Sequence, residues 1–409
     1  MRLQDLYGEG ADSRAFRKRA DALSALFAKE FGCAPQRWYS SSGRAEIVGN
    51  HTDHNHGKVI VAAIGCDILA AVKKREDGTV CIRSEGFPPV RFSLTQLGVV
   101  PAEYGKSVAL ARGVAKALCD RGYALGGFDA VTESTIFRGA GVSSSAAFEV
   151  LVCEIFNDLY LGGKLGKVDK AIVSQFAENV YFGKPCGLLD QTGIALGGIN
   201  EVDFCDPAAP VIENLAPPAG YTLVITNTGG SHAALTEHYA AIKTEMRQVA
   251  AFFGKEVLRE VSYDAFFGAV ASMRAAGISE RAILRAFHFF EENERVDAAA
   301  RALKTGDVPA FLAAVGASGV SSLNCLQNCY VPGSSEQPVT LALHMSERII
   351  RDGAVRVHGG GFAGTVLAYL NENEAASYAA QMGKVFGEEN VFTAPVRLYG
   401  TVRIDPAAL

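Results

Sequence analysis

A glycine loop that runs directly into a helix is the feature that most constrains this chain. Residues 139–147 read Gly-Ala-Gly-Val-Ser-Ser-Ser-Ala-Ala, and an apolar, helix-like stretch follows from Phe148 to Tyr160. Glycines let the backbone approach a ligand closely, and the first helical turn presents amides that have no intrahelical acceptor. Such a helix start binds anions, above all phosphate. The sequence therefore predicts a phosphate-binding loop.

This loop carries no cation of its own. It is not a Walker A loop, because no lysine follows the last glycine, and a serine replaces the third glycine of the dinucleotide fingerprint. A magnesium ion is the simplest source of the missing positive charge. A purely structural turn is the alternative, since glycine-serine turns are common.

Two further segments favour the phosphate interpretation. Residues 43–57 run from a short strand into a loop crowded with hydrogen-bonding side chains, which suits a polyhydroxylated ligand. Residues 186–191, Cys-Gly-Leu-Leu-Asp-Gln, place one acid, Asp190, between apolar residues. Asp190 therefore either caps a helix or takes part in the chemistry of the site.

In this order, the segments resemble the GHMP family of small-molecule kinases, and the first and third together resemble galactokinases. The sugar signature of that family is similar to residues 43–57, with their His51-Thr52-Asp53 core, and residues 186–191 match its catalytic segment. The glycine cluster at 358–365 is similar to the family's C-terminal motif. The resemblance runs from about Phe27 to the end of the chain.

The resemblance implies an α+β fold of two domains with the active site in the cleft between them. Residues 1–205 would form the N-terminal domain, with the sugar signature and the phosphate loop, and residues 206–409 the C-terminal domain. Residues 206–220, rich in proline and alanine, are the best linker candidate. Length and composition agree, because 409 residues that are 49% hydrophobic can bury substantial cores.

Periodicity predicts the main elements. Helices are expected at 13–31, 108–121, 148–160 and 168–182 and through much of 235–314, and strands at 58–73, 79–92, 221–227, around 355, at 365–370 and at 396–404.

The activity implied is ATP-dependent phosphorylation of the anomeric hydroxyl of galactose. Asp190 would hydrogen-bond that hydroxyl and take its proton, while Arg44 would keep the carboxylate ionised and stabilise the attacking oxygen. A strand-end salt bridge is the alternative for Arg44.

The nucleotide and metal ligands also follow from the resemblance. Backbone amides of the loop would wrap the β- and γ-phosphates of ATP, and Ser144 or Ser145 would reach Mg²⁺. Glu178 would be the second metal ligand, because Mg²⁺ prefers hard oxygen donors; a solvated surface glutamate is the alternative. The loop residues so assigned are Gly139, Ala140, Gly141, Val142, Ser143, Ser144 and Ser145.

Five residues would line the sugar site: Asn50, His51, Asp53, Gly187 and Tyr239. His51 and Asp53 would contact hydroxyls, and Gly187 would approach through its backbone. Tyr239 lies seven residues after His232, in a segment similar to one that ends in a sugar-contacting tyrosine. Half-buried packing is the alternative for this tyrosine.

An acid and an amide have changed places relative to galactokinases. Asn50 stands where the family has a glutamate that resembles a contact to the 6-position of the sugar, and Glu46 stands where it has an asparagine. Loss of that negative charge, with His54 and His56 nearby, would better tolerate a carboxylate at carbon 6. Galacturonate, or another 6-modified galactose, is therefore an alternative substrate.

Two other classes of protein are compatible with parts of the pattern. A metal hydrolase could use His51, Asp53, His54 and His56, although their spacing is poor for one metal. A non-catalytic sensor could bind sugar and ATP without turnover. Retention of Asp190, Arg44, Glu178 and the three serines argues against the sensor.

Composition limits the partners to small molecules. The net charge of −5 and the absence of a Lys/Arg run argue against nucleic acid, and the apolar stretch from Val59 to Cys66 is too short to cross a membrane. The N-terminus has no signal-peptide core. Nine scattered cysteines suggest reduced thiols in the cytoplasm. Cys325 and Cys329, spaced for one helical face, are expected to pack rather than bind metal. A monomer is favoured.

Overall fold

The computed structural model describes residues 2–8, 11–136, 141–229, 235–362 and 364–406. Gly139 and Ala140, together with His232, lie outside these residues. The described strands are β1 (Arg37–Val48), β2 (Lys58–Lys74), β3 (Thr79–Ser84), β4 (Val90–Ser93), β5 (Phe128–Ser134), β6 (Ile199–Asp203), β7 (Val211–Leu215), β8 (Tyr221–Asn227), β9 (Gly353–His358), β10 (Thr365–Asn371), β11 (Val391–Thr393) and β12 (Val402–Ile404).

The described helices are α1 (Gln4–Tyr7), α2 (Ser13–Phe31), α3 (Ser107–Asp120), α4 (Ser144–Tyr160), α5 (Lys167–Phe176), α6 (Leu189–Leu196), α7 (Thr236–Phe252), α8 (Tyr263–Gly268), α9 (Val270–Ala275), α10 (Glu280–Thr305), α11 (Val308–Ser321), α12 (Pro338–Ile349) and α13 (Glu372–Phe386). Two π-helical turns extend helices, Ala177–Phe182 after α5 and Ser322–Leu326 after α11.

The strands form two sheets, as expected for a mixed α+β fold. The larger sheet has the order β12-β1-β2-β5-β3-β4, and β6 pairs with β2 and carries β7 on its other side. The smaller sheet has the order β11-β8-β10-β9 and is antiparallel throughout. Strand β2 is almost continuously buried along its first half. Strands pair with both of its edges, and α6 and α10 pack against it.

Local signals explain the helix boundaries that the sequence predicts. Asp12 caps α2, since its carboxylate accepts from the amides of Arg14 and Ala15 at 2.8 and 3.2 Å. Gly32 ends the same helix in a left-handed conformation, with a φ of 70°. The predicted helix at 13–31 is confirmed.

Other boundaries differ from the predicted ones. The segment 79–92 is not one strand but the hairpin β3–β4, turned through Gly86, which has a φ of 72°. Only 402–404 of the predicted strand 396–404 is paired as a strand, while Val396 forms an isolated bridge with Ile64. Cys325 lies in the π turn and Cys329 beyond the end of the helix, so the two do not share one helical face.

The predicted linker at 206–220 contains strand β7, which pairs with β6. The larger sheet thus draws β7 and β12 from beyond residue 205, and one apolar cluster joins Val48 and Val150 to Ile225 and Val296. The prediction of a linker at 206–220 was therefore wrong. The domain boundary between residues 205 and 206 stays a prediction.

One helix among the described residues, Val308–Leu326, is long and apolar enough to cross a membrane. Its side chains Phe311 and Val315 are fully buried in the protein, and its neighbours are α10 and β9. The hydroxyl of Ser318 donates to the buried carboxylate of Glu292 on α10. In this fold the segment therefore serves as a core helix.

Candidate active site

Arg44 and Asp190 meet although 146 residues separate them in the chain, with Arg44 Nε 2.7 Å from Asp190 Oδ1. Arg44 follows an irregularity in the pairing of β1 with β2, between Ser42 and Gly43. Such bulges re-aim the next side chain. Asp190 lies in the first turn of α6. The arginine side chain is 5% exposed and the aspartate 28%, so the pair borders solvent on the acid's side.

The second oxygen of Asp190 accepts a hydrogen bond from the hydroxyl of Ser143. Burial alone would raise the pKa of this carboxyl, but the charge of Arg44 and the Ser143 hydroxyl hold it below its ordinary value. Asp190 is therefore ionised at neutral pH.

The described part of the glycine loop is tied to the same arginine. The carbonyl of Gly141 accepts from the Arg44 guanidinium, and the carbonyl of Val142 accepts from the Arg44 amide at 3.3 Å. Ser143 begins α4 in a left-handed conformation and makes no side-chain cap. The first turn, with Ser144 and Ser145, thus keeps its amides available to an anion.

Ser145 and Glu178 form an oxygen pair beside the loop, 3.0 Å apart. Glu178 lies in the π turn after α5 and is 1% exposed, so it is not a solvated surface glutamate. Mg²⁺ in kinases is held by one or two protein oxygens while phosphates and waters fill the other positions. The pair fits that role, and no group of three or more His, Cys, Asp or Glu side chains in the described ranges could hold a metal by itself.

A buried polar cluster supports Glu178 from behind. Gln191 Nε2 donates to Glu178 Oε2 at 2.8 Å and to Glu149 Oε2 at 3.2 Å. Burial, and then the charge of Glu178, raise the pKa of Glu149 well above its usual range. The sequence reasoning missed Glu149, although it lies one turn after Ser145 on α4 and its spacing could have indicated a shared face.

Lys184 also reaches this cluster and was not predicted as a site residue. Its ammonium lies 3.2 Å from Glu178 Oε1, and its side chain is 62% exposed. Loss of hydration opposes the charge, but the carboxylates of Glu178 and Asp190 together raise the pKa of Lys184.

Asp53 and Gly187 pack closely against each other near Asp190. Asp53 accepts from the amides of His54 and Leu189, at 2.9 and 3.2 Å. A Cβ added to Gly187 would lie 1.7 Å from Asp53 Oδ2, so only glycine fits against this carboxylate. Burial, with a contribution from the charge of Asp190, raises the pKa of Asp53 to about 6.

The C-terminal glycine cluster, in the turn between β9 and β10, closes over the sugar signature. His51 Nε2 lies 3.1 Å from the carbonyl of Gly360, and the hydroxyl of Tyr239 donates to the carbonyl of Gly361 at 2.9 Å. A Cβ on Gly360 would meet the Tyr239 ring at 2.4 Å. Tyr239 is thus packed on the cluster, as its alternative interpretation expected, and it still borders the site.

Asn50 is placed differently from the prediction. Its side chain is fully buried, and its amide nitrogen donates to Glu46 Oε1 at 2.7 Å and to the carbonyl of Gly359 at 2.8 Å. Its amide oxygen accepts from Asn328 at 2.8 Å and from Ser322 at 3.2 Å. Since an asparagine side chain can make four hydrogen bonds and all four go to protein, Asn50 shapes the pocket from behind instead of contacting a sugar directly.

The exchanged acid and amide form a hydrogen-bonded pair. Glu46 is 5% exposed and accepts from Asn50 and from the buried guanidinium of Arg356 at 2.8 Å. The exchange therefore relocates a negative charge by four residues and neutralises it with Arg356; it does not remove the charge from this end of the site.

Helix α10 holds the backbone of the same loop. Glu292 Oε1 accepts from the amides of Gly49 and Asn50 at 2.8 and 3.2 Å, and His288 Nε2 lies 2.8 Å from the carbonyl of Asn50. Both side chains are fully buried. Sequence reasoning missed them because an i, i+4 His/Glu pair on a helix does not indicate a distant partner.

The histidines of the loop do not form a metal site in the described residues. His54 Nδ1 lies 2.9 Å from the Asn55 side-chain nitrogen, and His51 faces a carbonyl. The metal hydrolase alternative therefore lacks a ligand set.

Comparisons with known proteins agree with this geometry. Residues 25–74 match the family model described as the galactokinase galactose-binding signature, and residues 109–198 match the GHMP kinases N-terminal domain. The structure is similar to that of the Lactococcus lactis galactokinase complexed with galactose. That comparison has a TM-score of 0.82 and 24% identity, over 94% of this chain and 100% of that one.

More distant kinases share the fold. The Methanococcus jannaschii mevalonate kinase has a TM-score of 0.62 and 13% identity over 88% of this chain and 98% of its own. The Streptococcus pneumoniae phosphomevalonate kinase, in complex with phosphomevalonate and AMPPNP, has a TM-score of 0.59 and 12% identity, over 90% of this chain and 100% of its own.

Two segments of the chain thus carry the sequence features of GHMP kinases, and these matches indicate a phosphotransferase whose acceptor is an alcohol group. The segment at residues 25–74 is galactokinase-like, and the fold is the one that the Lactococcus enzyme has.

Proposed function

We propose that this protein transfers the γ-phosphoryl group of ATP to the anomeric hydroxyl of galactose. The observation that carries the proposal is the position of Asp190, whose carboxylate lies between Arg44 and Ser143, the residue just before α4. An acid in that position borders both an anion site and the sugar signature.

The side chains around Asp190 suit proton removal from an attacking hydroxyl. Phosphoryl transfer depends mainly on alignment and on neutralising charge, with some help for the nucleophile. Because its pKa is lowered, Asp190 is ionised and able to accept the hydroxyl proton. Arg44 stabilises the carboxylate and the oxygen on which charge builds.

The start of α4 would bind the phosphates of ATP through its amides, and Ser145 and Glu178 would hold Mg²⁺. When bound, the metal ion neutralises charge on the β- and γ-phosphates. The oxygen pair of Ser145 and Glu178 supports this assignment, as does the buried position of Glu178.

Galactose is the sugar that the site supports best. Asp53, with its ionised form accepting two hydrogen bonds, and the backbone at Gly187 would contact hydroxyls, and His51 would add a further contact. The relative from Lactococcus lactis binds galactose, and this chain matches the galactose-binding signature. The Glu46–Asn50 pair retains an acid at the end of the pocket assigned to carbon 6. A second carboxylate there would have to share Arg356 with Glu46, which weakens the galacturonate alternative.

The proposal also places the enzyme in the cytoplasm, as a monomer that acts on small molecules. All nine cysteines are free thiols in the structure, which suits a reducing compartment.

A coupled kinase assay over galactose, galacturonate, N-acetylgalactosamine, arabinose and fucose tests the proposal. We expect galactose to have the highest kcat/KM, and galacturonate to be lower by more than about tenfold, or about 1.4 kcal/mol. A preference for galacturonate would reject galactose as the substrate. Asp190→Asn should lower kcat at least about 100-fold, and binding of every sugar without ATP consumption would instead identify a sensor.

A further inference from the structure

Lys184 lies where the catalytic acid and the metal ligands meet. Its ammonium and the Ser145 hydroxyl both contact the same oxygen, Glu178 Oε1, at 3.2 and 3.0 Å. The charge of Lys184 also lowers the pKa of Asp190, and it acts on Tyr239. Among the cations of the described residues, Lys184 and Arg44 are thus the two that act on Asp190 most strongly.

The backbone of Lys184 is fixed while its side chain is not. The Lys184 amide donates to the carbonyl of Glu178 at 3.2 Å, and Gly183 before it turns the chain with a φ of 80°. After it, the Cys186 amide donates to the Asn179 side chain at 2.7 Å. The Lys184 side chain, which is 62% exposed, therefore extends from a backbone that hydrogen bonds hold in place.

The acceptor that Lys184 uses is one that a metal ion would take. Glu178 Oε1 belongs to the oxygen pair that fits Mg²⁺, and an ammonium cannot share it closely with a divalent cation because like charges repel. When a metal–nucleotide complex binds, Lys184 must exchange Glu178 for another anion. Both oxygens of Asp190 already accept from Arg44 and Ser143. The terminal phosphate is therefore the anion left for Lys184, and lysine binds phosphate well as a point charge.

We propose that Lys184 binds the terminal phosphate of the nucleotide and supplies the lysine that the glycine loop lacks. This proposal rests on the proposed kinase function. Lys184 would then contact the γ-phosphate of ATP, a group that ADP lacks, so it would favour the nucleotide that can react.

Equilibrium binding of nucleotides, with Mg²⁺ and without sugar, tests this role. In Lys184→Met we expect the affinity for AMPPNP to fall by roughly tenfold or more, the scale of a hydrogen bond to a charged group. The affinity for ADP should stay within about twofold. Lys184→Arg, which keeps the charge, should retain most of the preference for the triphosphate.

Lys164→Met is the matched control. Lys164 is exposed and lies beyond the C-terminal end of α4, whereas the phosphate loop lies at the N-terminal end. This variant should bind both nucleotides like the wild type.

Equal losses for AMPPNP and ADP in Lys184→Met would overturn the proposal, and so would unchanged binding of both. A stronger dependence of nucleotide binding on Mg²⁺ concentration, with no change in the preference for AMPPNP over ADP, would mean that Lys184 only neutralises Glu178. That result would also overturn the proposal. Failure of the proposed function is separate, because it would appear as absent turnover by the wild type over the sugar panel.

Discussion

The carboxylate of Asp53 occupies the space that a Cβ on Gly187 would need, with Asp53 Oδ2 only 1.7 Å from that position. The sugar signature and the segment that carries Asp190 are therefore fitted to each other through this glycine. The same carboxylate accepts from the amide of Leu189, next to Asp190. A shift of Asp53 would therefore be transmitted to Asp190.

Gly187→Ala should disable catalysis more than it disturbs folding. The new methyl group must displace the Asp53 carboxylate, and a misplacement of about 1 Å in an active site can cost about 100-fold in rate. We expect kcat/KM for the sugar to fall by about that factor, measured by steady-state kinetics, while AMPPNP binding is retained. Gly316→Ala is the control, because its nearest neighbour there, Ala354, is 4.0 Å away. Normal sugar kinetics in Gly187→Ala would contradict the fit described.

Asp53→Asn should stabilise the protein near neutral pH. The pKa of Asp53 is raised from 3.8 to about 6 in the folded protein, so the folded state binds more protons than the unfolded chain over that range. Stability from this group is therefore present at low pH and is lost as pH rises from about 4 to about 6. Thermal melts between pH 4 and 8 should show Tm of the variant exceeding wild type above pH 6, with the gap closing toward pH 4. A difference in Tm that grows toward low pH would contradict a raised pKa of Asp53.

Asn50→Glu should destabilise the fold, although it restores the residue that galactokinases carry. The new carboxylate would lie against Glu46, buried, with only Arg356 to neutralise both. The expected loss is about 3 kcal/mol, the scale of an uncompensated buried charge.

The double variant Glu46→Asn with Asn50→Glu tests the pairing. It restores one acid and one amide, so urea denaturation should give a destabilisation well below the sum of the two single variants. Additive losses would mean that positions 46 and 50 do not interact.

Glu292→Ala should unfold the protein more easily and weaken sugar binding. It removes the acceptor of the Gly49 and Asn50 amides and leaves Arg295, 2.6 Å away, without its buried partner. We expect a loss of about 3–5 kcal/mol in urea denaturation. Glu291→Ala, one residue earlier and 40% exposed, is the control and should cost less than about 1 kcal/mol.

Local sequence patterns predicted the parts of this fold that depend on residues close together in the chain. The caps at Asp12 and Gly32 bound α2, and the glycine-serine run gives the start of α4. The family resemblance supplied the pairing of Arg44 with Asp190, which no periodicity could indicate.

The remaining features depend on distant partners. The burial of Asn50 follows from Asn328 and Gly359, which approach it only after β9 and β10 pair. Strand β7 was hidden in a segment rich in proline and alanine, because its pairing with β6 outweighs its weak local propensity. Glu292 and Lys184 lie in helical or loop contexts that resemble ordinary surface sequence.

Strand β12 pairs with the outer edge of β1, with Trp38 opposite Ile404. During synthesis the chain must therefore be made at least as far as Ile404 before the hydrogen bonds between these two strands can form. Until then β1, the strand that carries Arg44, has an unpaired edge, and such edges can pair with strands of other chains. Late closure of this sheet therefore leaves the nascent chain open to aggregation until β12 has been made.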